Sequence, residues 1–336
     1  MKYLIIIFLF ASFSSVAISQ ETKDLATYPG KWIYTNNNSS GGWFDERYYK
    51  MNATELQKYN STIEKLVNFL HQQPVAQNPL GVTLNVESRA AYNHYDHDLH
   101  PVKPNERVKV EINIPFCRLF LKDGKLGFDC TEVSYVNMIT NDESKVFESA
   151  MTTSVIDDKQ AMKQFHDIFT FPKKLMDLGD GIFLYDCYYN NFIIVSSRIK
   201  PLWLKITNKE YTNRMLAYYT ATLKEGLIPQ MVLDALKSEI DAIPPEMMML
   251  PAYINGNPQR PLTGICTMEE DSTTALYAIN PDYFDPKLPR TSVQLLTIRI
   301  EGHADDPEWG DINAHRVWEF IQGLKGSELR KLLDIE

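Results

Sequence analysis

From Val108 to Ile114 the chain alternates without a break: Val108, Val110, Ile112 and Ile114 fall on one face of an extended strand, and Lys109, Glu111 and Asn113 fall on the other. A period of two marks a half-buried strand. The preceding segment, from about residue 79, reads as further strand around a polar, histidine-bearing middle. Earlier still the period changes. Between Thr54 and Gln72 the apolar positions Leu56, Tyr59, Ile63, Leu66, Val67 and Leu70 recur at three and four, and Pro74 ends the run. That spacing predicts a helix.

A further strand runs through Val133 to Ile139, and residues 140–158 form the most polar stretch of the middle of the chain. Asp158 is placed to cap a short helix carrying Met162, Phe165, Ile168 and Phe169 up to Pro172. The segments 181–187 and 192–197 flank Tyr189-Asn190-Asn191 and predict a hairpin, because Asn tolerates the positive φ that a tight turn needs. Thr207-Asn208-Lys209-Glu210 is a capping-box sequence, followed by Tyr211, Met215, Leu216, Tyr219 and Leu223 at helical spacing and closed by Gly226. A second helix is expected from Pro229 to about Ile243, then a proline-rich crossing loop over 244–262. Strands around 264–279 and 291–300 follow, and a last helix from about Ile312 to Leu324. Hairpins mixed with single helices, without regular βαβ alternation, give the α+β class: antiparallel hairpins packed against several amphipathic helices. The expected organisation is an N-terminal region over 20–150 and a C-terminal region over 151–336, separate or as one continuous domain.

The four cysteines sharpen this picture. In the segment Cys117 to Cys130 the midpoint is Asp123-Gly124, a pair favoured in two-residue type I′ turns. Pairing outward from it sets Lys122 against Lys125, Leu121 against Leu126, Phe120 against Gly127, Leu119 against Phe128, Arg118 against Asp129 and Cys117 against Cys130. Alternation also puts the cysteines at a non-hydrogen-bonded position, where side chains are closest. A Cys117–Cys130 disulfide is therefore expected, and Cys187 and Cys266 either pair by elimination or are each a buried free thiol. Neither cysteine of that second pair has Cys-x-x-Cys spacing, which argues against a redox or zinc motif.

An even set of cysteines suits an oxidising compartment, and the N-terminus agrees. Lys2, an apolar stretch from Tyr3 to Ala11, and small residues ending in Ala17-Ile18-Ser19 have the three-part form of a secretory signal cut before Gln20. The serines at 12, 14 and 15 interrupt the run short of the ~20 apolar residues a membrane span needs. The expected location is secreted or periplasmic. With 34 Lys+Arg against 43 Asp+Glu the net charge is −9, and no basic run is present to neutralise a phosphate backbone, so nucleic acid is a poor partner. Asn38, Asn52 and Asn60 each begin an Asn-x-Ser/Thr tripeptide, equally the material of turns and helix starts.

Candidate chemistry is sparse. His94, His97 and His100 lie close together with Asp96 and Asp98 and are the candidate ligands of a divalent metal, although Pro101 and Pro104 favour a solvated loop. A second acidic group, Glu301, His303, Asp305, Asp306, Glu308 and Asp311 with His315 and Glu319 beyond, lacks calcium-loop spacing, and Asp311 reads more simply as a helix cap. The sequence holds no Gly-x-Ser-x-Gly, His-Glu-x-x-His or Gly-x-x-x-x-Gly-Lys. Aromatics cluster with Asn and Gly at Trp32, Tyr34, Trp43 and Phe44, followed by Tyr48 and Tyr49. Such groups either bind sugar rings and protein partners or fill a core.

Residues 200–211 (Lys-Pro-Leu-Trp-Leu-Lys-Ile-Thr-Asn-Lys-Glu-Tyr) and 280–289 (Asn-Pro-Asp-Tyr-Phe-Asp-Pro-Lys-Leu-Pro) resemble parts of uncharacterised secreted bacterial proteins. The resemblance covers the C-terminal half, implies export, and carries no activity. The sequence reading is an exported binding module without chemistry of its own, with a glycan or envelope-protein partner. The alternatives are a metal-dependent hydrolase using His94, His97 and His100, or a cell-envelope scaffold.

Overall fold

The alternating segment at 108–114 opens a strand of 13 residues on which the molecule is organised. The computed structural model describes residues 25–36, 49–90, 106–131, 133–142, 164–165, 168–187, 190–255, 273–301 and 312–334. Nine strands form one sheet. Their order is β1 (Trp32–Asn36), β2 (Val82–Ala90), β3 (Val110–Lys122), β5 (Tyr135–Thr140), β13 (Leu295–Glu301), β9 (Asn190–Ser196), β8 (Phe183–Cys187) and β7 (Lys173–Asp177), with β4 (Lys125–Asp129) on the distal half of β3. Neighbours are antiparallel except β1 and β2, which run parallel. A smaller sheet is centred on β12 (Thr273–Ile279), which pairs with β10 (Trp203–Lys205), β11 (Tyr253–Asn255) and β6 (Ile168–Thr170). The chain is thus α+β with antiparallel hairpins.

One face of the large sheet is apolar. Helix α1 (Ala53–His71) is followed by the short α2 (Pro74–Gln77), and near the C-terminus lie α5 (Ile312–Gly323) and α6 (Gly326–Arg330). Tyr59, Ile63, Leu66 and Leu70 of α1 and Val317, Phe320 and Ile321 of α5 share a core with Leu84, Val86, Ile112, Ile114, Phe116 and Ile298. Helices α3 (Asn208–Lys224) and α4 (Gln230–Asp241) bury Tyr211, Met215, Leu236 and Ile240 with Leu276 and Ile254 of the smaller sheet. A third cluster, Phe169, Tyr185, Phe192, Ile194, Tyr283 and Leu295, joins the two sheets.

The disulfide hairpin follows the register read from its turn, pair for pair from Arg118↔Asp129 to Lys122↔Lys125. Asp123 and Gly124 take positive φ of 53° and 71°, and Cys117 and Cys130 are bonded with Cα atoms 4.3 Å apart. Other expectations need correction. Ile168 and Phe169 lie in β6 rather than in a helix. They pair with Ala278 and Tyr277, and their side chains enter different cores, so the end of this apolar run is a strand buried on both faces, while residues 164–165, with Phe165, are helical as expected. Asp158 and Met162 lie outside the described residues. Asn190 and Asn191 belong to β9 rather than to a turn, with Asn190 paired to Cys187, and Tyr189 lies outside the described residues. The stretch 244–262 includes β11 rather than loop alone. Thr207 does cap α3 by accepting from the Glu210 amide, but the Glu210 carboxylate binds Arg214 one turn on. A reciprocal capping box occurs instead at Asn52 and Glu55, at the start of α1.

Long-range polar contacts lock these layers. Asn141, at φ 54°, accepts from the amides of Gln294 and Leu295 and donates to the carbonyls of Val108 and Ser292. The Tyr283 hydroxyl donates to Gln294 O and accepts from Ser197 N, and burial pushes its pKa up to about 12. Arg290 binds Glu55 at 2.7 Å and the carbonyl of Tyr49. That guanidinium, with the Asn52 amide assisting and desolvation opposing, holds the Glu55 carboxyl below its ordinary value. A lowered folded-state pKa contributes stability that is present above the unfolded pKa and lost as pH falls through the folded one. Urea unfolding between about pH 5 and pH 3 is therefore expected to show a steeper loss of stability in the native protein than in Glu55→Gln. Equal slopes would show that the Arg290 contact does not contribute.

Candidate functional site

The second face of the large sheet is built differently. Side chains alternate along a strand, so the residues between the core positions of β2, β3, β5 and β13 share this face. In β3 these are Glu111 and Asn113. The register places Arg89 opposite Glu111, Glu87 opposite Asn113, Asn113 opposite Asn137, and Asn137 opposite Arg299. Four strands thus bring six polar or charged side chains to one patch. The pattern is that of a polar interior wall.

Its frame is a buried carboxylate. Glu111 is only 6% exposed and is held by Arg89 through two bonds, Nε to Oε2 at 2.8 Å and Nη2 to Oε1 at 2.9 Å. Paired planar groups of this kind fix orientation as well as charge. Asn137, 7% exposed, donates its Nδ2 to the same Oε1. This contact settles the amide's orientation, because the flipped form would set a carbonyl against the carboxylate. Both oxygens of Glu111 are therefore engaged. Alongside, Arg299 pairs with Glu301, and Lys109 reaches Asp142 at 3.2 Å.

Two atoms are left over. Oδ1 of Asn113 and Oδ1 of Asn137 are buried, and neither receives a hydrogen bond from the described residues. They belong to residues directly opposite each other on adjacent strands. Orphaned buried acceptors are uncommon and carry a desolvation penalty of about 1–3 kcal/mol each. The aromatic cluster between the sheets borders the same patch, since Phe192, opposite Arg299, belongs to it with Tyr185. Both acceptors are closed to solvent beside an apolar ring surface, so a donor reaches them only if the side chains around them give way. Charge and shape are fixed by the Arg89–Glu111–Asn137 frame.

The candidate residues read from the sequence are distributed otherwise. Trp32 packs at the margin of the main core with its ring 4.8 Å from that of His71, and Tyr34 is exposed with its hydroxyl 2.9 Å from Ser88 Oγ. Tyr49 is a core residue. Trp43, Phe44, Tyr48, His94, His97, His100, His303, Asp305, Asp306, Glu308 and Asp311 lie outside the described residues, as do Cys266 and Asn38. Cys187 is the last residue of β8. Glu319 is bound by Arg316, while His315 is exposed. Asn52 is the α1 cap, and Asn60 is exposed on that helix. Among the described residues no group of three or more His, Cys, Asp or Glu is placed to hold a metal ion, and no helix is long and apolar enough to cross a membrane.

The polar wall was half visible in the sequence. Lys109, Glu111 and Asn113 stood out as the polar side of an alternating strand, but nothing local says that they face Arg89, Asn137 and Arg299 rather than water. Comparison with protein-family models, with curated proteins and with solved structures finds no match.

Removing one partner of a buried ion pair costs about 3–5 kcal/mol, because the other charge is left uncompensated. Arg89→Met is expected to lower unfolding stability toward the lower end of that range, since Arg89 retains some solvent contact. Arg89→Met/Glu111→Met should recover much of the loss. A single variant as stable as the native protein in chemical denaturation would remove the pair from its framing role.

Proposed function

We propose that this protein is an exported binding module, working in the periplasm or outside the cell, that holds a neutral ligand rich in hydroxyl or amide donors, such as a glycan, against the polar wall of its large sheet. The observation that carries the reading is the pair of buried, unsatisfied acceptors on Asn113 and Asn137, set in a frame whose charges are already matched. A ligand bringing O–H or N–H groups supplies what these atoms lack. The buried rings of Tyr185 and Phe192 adjoin the same patch, and a sugar ring likewise pairs an apolar face with a polar edge. Export is supported by the signal-like N-terminus and by the Cys117–Cys130 disulfide, which suits an oxidising compartment.

The test uses a property that separates a binding residue from a structural one. Replacing an unsatisfied buried polar group by an apolar one of similar size is neutral or stabilising. Asn113→Leu is expected to raise unfolding stability by up to about 1 kcal/mol while weakening saccharide binding at least tenfold. Calorimetric titration with glucose, N-acetylglucosamine and their β-linked disaccharides, on native protein and variant, measures both. Binding of none of these, together with a destabilised Asn113→Leu, would make the wall purely structural. A stoichiometric transition metal in untagged protein, lost in His94→Ala/His97→Ala, would instead favour the hydrolase reading.

A further inference from the structure

We propose that the disulfide-stapled ribbon of β3 and β4 is a homodimerisation edge, on which β4 pairs antiparallel with β4 of a second copy about a two-fold axis at Gly127. The ribbon projects from the sheet. Pairing of β2 with β3 stops at Val82↔Arg118, and among the described residues β4 is paired with β3 alone. Among the described residues its outer edge is unpaired, and a row of unpaired N–H and C=O groups is a template for another strand.

The ribbon also carries apolar surface that the fold does not use. Phe120, Leu121, Leu126 and Phe128 are 40%, 39%, 45% and 42% exposed. Such a group on one two-stranded ribbon marks an interaction site.

The hydrogen-bond phase selects the register. A two-residue turn makes Lys122 and Lys125 a bonded pair, so Gly127 and Asp129 also bond to β3 and the backbone groups of Leu126 and Phe128 point away from it. Antiparallel self-pairing centred on Gly127 sets Leu126 of each copy opposite Phe128 of the other, which joins those outward groups in hydrogen-bonded pairs. The same register sets Lys125 opposite Asp129 of the second copy at non-bonded positions, where side chains approach most closely. Centring instead on Leu126 or on Phe128 leaves both charges without an opposite partner. Lysines on an edge ordinarily repel a second strand. Here the two-fold axis turns each into half of an ion pair, within a chain whose net charge of −9 otherwise opposes association.

Packing supports the same axis. Gly127 has no side chain to separate the strands, and Phe120 occupies its place: a Cβ on Gly127 would lie 2.6 Å from the Phe120 ring. On the opposite face, Leu121, Leu126 and Phe128 of both copies would join into one apolar surface. The occupant that fits is a second copy of the chain.

Sedimentation velocity over a range of concentrations tests this on protein purified after export with its disulfide intact, alongside Asp129→Lys, Lys125→Asp and the double variant. A concentration-dependent dimer is expected, weakened at least about tenfold in each single variant and restored in the charge-swapped double variant, with circular dichroism confirming that every variant is folded. A native protein that stays monomeric overturns the proposal. A dimer indifferent to the single variants, or one not regained in the double variant, overturns it as well.

Discussion

Strand β3 has to satisfy two opposed environments along one backbone, and most of the structure answers that constraint. Its even positions, Val110 to Phe116, are covered by α1 and α5, while Glu111, one residue off, is equally buried on the other face. A carboxylate removed from water is tolerable only when its charge is met and its lone pairs are engaged. Arg89 and Asn137 meet both conditions, and they arrive from the two strands that flank β3. The frame therefore ties β2, β3 and β5 into one register, because a slip of a single residue would carry Glu111 into the apolar core. Beside it, Oδ1 of Asn113 and of Asn137 have no donor among the described residues.

How much of this could be read in the chain depends on the range of the interaction. The disulfide ribbon was legible to the residue, since turn chemistry, alternation and cysteine spacing all act within 14 positions. The α1 and α5 stripes were legible for the same reason. The β6 strand was not: Ile168 and Phe169 fit a helical stripe, and only their burial in two separate cores decides against it. Asn190 looked like a turn residue by intrinsic preference, but pairing with Cys187 overrides it. The polar wall was the least legible part. Glu111 finds Arg89 at a separation of 22 residues, whereas Asn137 lies opposite Arg299 across the whole C-terminal half. Alternation shows that polar residues share a side of a strand, never whether that side is wet.

The C-terminal segment closes the molecule by the same logic of matched polar groups. Arg330 of α6 binds the Asp180 carboxylate and the carbonyls of Asp180 and Ser196, and Asp334 accepts from the Val293 amide while its own amide donates back to Val293. At Gly326 the helix backbone approaches so closely that a Cβ would stand 2.0 Å from Gly179 O, so only glycine permits the amide of residue 326 to reach Leu178 O. These contacts act on strands β9 and β13 from the helix side.

Strand β3 thus divides its length between two tasks. Its first half is enclosed by neighbours on both edges, which fixes the register of Glu111 and Asn113 against the residues opposite them. Beyond Arg118 it leaves the sheet, with β4 as its lone partner among the described residues. A two-stranded ribbon is marginal in water without further packing. The Cys117–Cys130 bond offsets part of that deficit by closing the loop in the unfolded chain, independently of anything the exposed leucines and phenylalanines touch. The disulfide therefore holds this exposed apolar ribbon in a single register.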